Sequence, residues 1–225
     1  VLERVWQMPY AELFALSIPG AVMYGVAALP AGWLADRWSA AGMMAIFFIG
    51  TGGASILTGL AEGPWQLAAG LTAIGTFSAI YHPVGVPWLI KHSRNHGRAL
   101  GLNGVFGSGG TAIAALVAGA LADLWGWRAA FMLPGLLCIA TGIAFIIAIR
   151  LDFIVEGEGE ASPAPSSARS DRARAFALLA ITVMCSGLIY QLTAYALPKI
   201  FAERLFDFAG QSVLGIGGFV SLVYL

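Results

Sequence analysis

Residues 40 to 61 read AAGMMAIFFIGTGGASILTGLA, a run of 22 positions without one ionisable side chain. About 20 apolar residues of helix cross the hydrocarbon core of a bilayer, so this stretch reads as a membrane-spanning helix. Moving outward from it, apolar runs bounded by charges fall at 11 to 34, 65 to 90, 99 to 122, 129 to 149 and 175 to 198. A further run begins near residue 210 and continues to 225. A barrel would instead show short strands of alternating polarity, so the expected fold class is an all-α, multi-pass membrane bundle. The whole composition agrees: the 225 residues are 59% hydrophobic and 11% charged, with a mean hydropathy of +0.81. A soluble globule with that surface would precipitate.

The 12 basic and 12 acidic side chains cancel, which excludes the basic excess that nucleic acid demands of a partner. Cys138 and Cys185 both lie inside apolar runs, where cysteine packs as a small hydrophobe, so neither a disulfide framework nor a cysteine metal site is expected. No cofactor and no metal are expected, and the chain is taken as a monomer. An intramembrane enzyme would need H-E-x-x-H, paired intramembrane aspartates or a serine with a histidine partner, and the sequence offers none of these. A receptor or purely structural role is a remote alternative.

Between residues 151 and 174 the composition changes sharply. Glu156, Glu158 and Glu160 are spaced by glycines and followed by serine, proline, alanine and arginine, too little apolar content to fold alone. This divides the chain into a first bundle, 1 to 150, a flexible linker, 151 to 174, and the start of a second bundle, 175 to 225. An ordinary long loop is the alternative. Basic residues orient the whole: Arg37, Lys91, Arg94, Arg98, Arg150, Arg169, Arg172 and Arg174 share one side, and Arg4, Arg128, Lys199 and Arg204 the other. The richer side is expected to be cytoplasmic. Span 11 to 34 then enters from outside. Since the chain also opens at Val1 without methionine and stops at Leu225 inside an apolar run, a fragment lacking one upstream helix is expected.

Gly32, Trp33, Leu34, Ala35, Asp36 and Arg37, at the inner end of the first span, resemble the G-x-L-a-D-R signature between helices two and three of the major facilitator superfamily. Gly126, Trp127, Arg128 and Phe131 are similar to that family's G-W-R-x-x-F between helices five and six, and Gly97 to Gly101 to its lead-in to helix five. The resemblance covers essentially the whole chain as helices two to eight of a twelve-helix, two-bundle transporter. It implies alternating access about a midplane site, a small organic solute as cargo, a proton as coupling ion, and a bacterial inner membrane as location. Ile80 to Pro83, Asn95 to Arg98 and the glycines from Gly104 to Gly110 resemble, more narrowly, the fosmidomycin-resistance type of efflux protein. Uptake of a metabolite or organic anion is the rival within transport. Two departures weaken a drug-antiporter assignment: Ala69 to Thr72 lack the arginine usual in helix four, and Ala114 to Leu116 lack the helix-five proline.

The signature makes Gly32, Leu34, Asp36 and Arg37 candidate gating residues, with Asp36 pairing across the bundle interface in one state and releasing in the other. The plainer reading is a solvated loop pair worth at most ~1 kcal/mol. Ser39, Ala40 and Ala41 stand where the family has glycine and a basic pair, which puts any charge relay there in doubt. His82 is the one ionisable group deep in a span, about 13 Å along the helix from Lys91 at ~1.5 Å per residue. Such groups mark proton or substrate routes, and histidine ordinarily titrates near neutrality. A polar partner for the kink at Pro83 is the competing reading. Tyr24, Tyr81, Tyr190 and Gln191 are the further candidates for a central site; alternatively the tyrosines belong to the interfacial aromatic belt. Gly104, Gly107, Gly110 and Ala114, with Ser108, Ala112 and Ala118, form small-residue ridges expected to pack tightly against another helix.

Overall fold

The computed structural model describes residues 2 to 153, 169 to 204 and 212 to 224. They form α1 (Leu2–Trp6), α2 (Tyr10–Ala15), α3 (Ile18–Val26), α4 (Ala28–Arg37), α5 (Ala40–Gly59), α6 (Pro64–Ser78), α7 (Val86–Lys91), α8 (His96–Trp125), α9 (Ala129–Arg150), α10 (Arg169–Arg204) and α11 (Val213–Tyr224). No strand occurs among the described residues. Among the described residues, six stretches are long and apolar enough to cross a membrane: Tyr10–Arg37, Ala40–Gly59, Pro64–Lys91, His96–Trp125, Ala129–Arg150 and Ala173–Arg204. The all-α membrane bundle read from hydropathy is therefore the observed fold. Of the expected linker, residues 154 to 168 lie outside the described residues. Helix α10 begins at Arg169, inside the stretch assigned to the linker, with Asp171 in its first turn, where a carboxylate favours the helix dipole.

The first span is not the continuous helix that its apolar run suggests. It is divided at Leu16–Ser17 and again at Ala27. The first break has a local cause: Pro19 has no N–H to offer the carbonyl four residues back, and the Ser17 hydroxyl turns instead to the Phe14 carbonyl at 2.7 Å. The third span is interrupted by a π-helical turn, Tyr81–Gly85. Pro83 and Pro87, four residues apart, remove two successive rungs of the helical ladder, and the widened turn absorbs the mismatch.

Helix α5 is the centre of the first bundle, packed between α9 and α6, with α3 against the far side of α6. Glycines set these approaches. A Cβ added at Gly52 would lie 2.6 Å from the Gly135 carbonyl oxygen, and one at Gly135 would lie 2.8 Å from the Gly52 oxygen. Close backbone approach of this kind supplies the dispersion energy that holds helices together in lipid, where apolar side chains gain little by leaving apolar tails. Met43, Met44, Ile80 and Val84 form the core at the basic end, with Phe47, Phe77 and Phe145 around them.

At the opposite end the Gly126 to Phe131 loop is built from its residue types. Gly126 has φ +87, a left-handed conformation that glycine adopts without steric cost. Trp127 is 8% exposed and meets Trp6 at 5.5 Å and Phe131 at 6.2 Å between ring centroids. Arg128 donates to the Ala61 carbonyl at 2.9 Å while its guanidinium lies 4.6 Å from the Trp127 ring, tying this loop to the neighbouring one.

The glycine ridge on α8 departs from expectation. Nothing lies within 4 Å of a Cβ built at Gly104, Gly107 or Gly110. The close approach falls further along, where a Cβ added at Gly119 would lie 2.6 Å from the Val213 carbonyl oxygen and one at Gly217 would meet the Ala115 carbonyl. Ala112 is fully buried, and Ala114 is exposed. Helix α11 runs antiparallel to α8, and the contacts described between them fall from Ala115 to Asp123.

Candidate functional site

The π-helical turn places two of the candidate residues, Tyr81 and His82, side by side near the middle of the third span. Their rings lie 5.3 Å apart, edge to face. Tyr24, carried by α3, presents its ring to His82 at 6.4 Å and 84°. Tyr81 is held from two further helices: Phe47 of α5 lies 5.6 Å from its ring, and its hydroxyl donates to the Asn103 side-chain oxygen on α8. Tyr24, Tyr81 and His82, read from two separate apolar runs, are thus one polar cluster. His82 and Tyr24 are exposed, Tyr81 and Asn103 half-buried. This arrangement offers an imidazole, two phenol faces and an amide in an otherwise apolar wall.

Asn103 was missed in sequence. It stands beside the glycine ridge, and its polarity inside a span was the available signal. Tyr190 is 47% exposed and meets Tyr224 at 6.0 Å rather than any ring of the His82 cluster. Gln191 is exposed on the same helix.

Of the gating candidates, Gly32 meets the same π turn. A Cβ at Gly32 would touch Pro83 at 3.3 Å, so α4 passes directly over that proline. Leu34 and Asp36 are exposed, and the Arg37 guanidinium stacks 4.5 Å from the Trp33 ring. Asp36 lines a cavity of about 380 Å³ between the end of α4 and α7, shared with Trp38, Pro83, Trp88, Lys91 and His92. Ser39 accepts from the Gly42 N–H at 2.8 Å, which makes it the cap of α5. The departure from the signature after Arg37 therefore has a local helix-starting role.

Against known proteins, the family described as Major Facilitator Superfamily matches residues 11–225. No curated protein and no solved structure matches the chain.

Proposed function

The chain belongs to the Major Facilitator Superfamily, a family of membrane transporters, and from that premise we propose that it exports a small organic solute in exchange for protons. Export proceeds by alternating access, with the basic loops on the cytoplasmic side of a bacterial inner membrane. The supporting observation is the cluster of Tyr24, Tyr81, His82 and Asn103 around the π turn. A titratable group on an irregular helical turn inside a span is costly in lipid and is usual where a transport route passes. Aromatic faces with few hydrogen-bonding groups suit a mostly apolar, drug-like cargo.

Everted vesicles with an acidified lumen test this directly. Addition of a transported compound is expected to alkalinise the lumen as protons leave in exchange. Silence across a panel of drugs and metabolites, with the protein shown to be inserted, sinks proton-coupled export and favours metabolite uptake.

In this mechanism Asp36 is a gate residue, lining the same cavity as Lys91 and His92. Asp36→Ala is expected to slow transport about tenfold, the size of a modest coupling energy between two conformations. Substrate binding, measured by equilibrium dialysis or fluorescence, is expected to persist. Loss of binding with normal exchange would contradict the gate.

A further inference from the structure

The first turn of α11 is capped from another helix. Asp123, near the end of α8, accepts from the Ser212 hydroxyl at 2.8 Å, the Val213 N–H at 3.1 Å and the Leu214 N–H at 2.8 Å. Ser212 in turn accepts from the Gly215 N–H at 3.0 Å. A helix start leaves its first N–H groups without partners, and a carboxylate there gains from both hydrogen bonds and the helix dipole. Such caps are ordinarily supplied by the residue beside the helix. Here the carboxylate lies about 90 positions away, on a helix of the first bundle, while α11 belongs to the second. Immediately beneath it the two backbones approach at Gly119 and Val213.

A second contact joins the bundles at the same end. Tyr10 donates to the Tyr195 carbonyl at 3.2 Å, and Phe14 lies 5.1 Å from the Tyr195 ring. Lys199 pairs with Glu3 at 3.8 Å and with Glu203 at 3.4 Å. The two halves thus meet at the end that holds Trp125.

We propose that Asp123 is the latch of the gate opposite the basic loops, positioning α11 against α8 when that side is closed and releasing it each time that side opens. The inference rests on reading the chain as an alternating-access transporter. Asp123 touches no cargo in this role. Its three bonds are exposed to water, so they can break and reform in each cycle while the glycine contact below guides re-closure.

Ser221 supplies the probe. It is 6% exposed, one turn beyond Gly217 on α11, and its hydroxyl has no partner among the described residues. In the whole protein, with Cys185 replaced by serine, Ser221→Cys is labelled in right-side-out vesicles with a membrane-impermeant maleimide. Asp123→Asn is expected to raise that labelling rate about tenfold, the scale of a lost helix cap, and Ser212→Ala by less. Cys138, half-buried in α9 against α5, is the control and is expected to stay at its parent rate. An unchanged rate at Ser221→Cys overturns the latch. So does an equal rise at Cys138, which would mark general loosening. Labelling needs no cargo and no proton gradient. A protein silent in the flux assay yet responsive here keeps its latch and loses proton-coupled export; the reverse pattern loses only the latch.

Discussion

Gly52→Val is expected to destabilise the first bundle by about 3 kcal/mol or more, at the upper end of overpacking penalties, while Gly53→Val one position along leaves stability nearly unchanged. A Cβ at Gly52 would lie 2.6 Å from the Gly135 oxygen, 2.7 Å from Ile139 Cγ1 and 3.0 Å from the Ile139 nitrogen. Two of those three atoms are backbone, so relief requires α5 and α9 to separate. Separation forfeits the contacts of the whole crossing, because dispersion falls off within an ångström. Nothing lies within 4 Å of a Cβ at Gly53. Thermal unfolding in detergent, followed by size-exclusion recovery, distinguishes the two substitutions. Equal loss in both would mean that α5 and α9 are not held by this approach.

His82→Gln is expected to flatten the pH dependence of transport across the neutral range and to lower the proton-driven rate about a hundredfold, the lower scale for losing a positioned proton donor and acceptor. Glutamine keeps polarity and hydrogen bonding but cannot titrate. The Pro83 interruption of the helix, which needs no proton, is left in place. Solute binding in the absence of a gradient is expected to survive, since Tyr24, Tyr81 and Asn103 remain. Transport with the parent pH profile would remove the proton role and leave His82 as a partner of the π turn.

Much of the fold was legible because crossing a bilayer is a property of the chain read locally. Runs such as 40 to 61 announce their helices by length and lack of charge, and the loop at Gly126 to Phe131 shows its turn, its buried ring and its anchoring arginine in order. The divisions of the first span were less legible. Pro19 and Pro83 look alike in sequence, yet one accompanies a break with a serine bonding backward and the other a π turn. Which outcome follows depends on what packs alongside: Gly32 of α4 presses on Pro83, and Ile80 and Val84 around it are core.

The candidate site was legible as a set of residue types. Its membership was decided in three dimensions. Tyr24, Tyr81 and Tyr190 were equal candidates in one dimension, but Tyr190 stands with Tyr224 and the other two surround His82. Asn103 joins them because α8 passes the π turn.

The sequence by itself determined the membrane and the order of the long apolar helices, since these depend on hydropathy and on charges acting within a few residues. Only the tertiary structure decided which faces meet. Gly52, Gly119 and Gly135 lie at helix contacts, whereas a Cβ built at Gly104, Gly107 or Gly110, no less regular in sequence, meets nothing within 4 Å among the described residues. The physical reason lies in the solvent. Water makes a soluble helix declare its buried face by polarity, but lipid is as apolar as a packed interface, so the same small residue suits either side. Asp123 carries the same lesson at the membrane edge, for its partners at Ser212, Val213 and Leu214 adjoin it only because α8 and α11 run antiparallel.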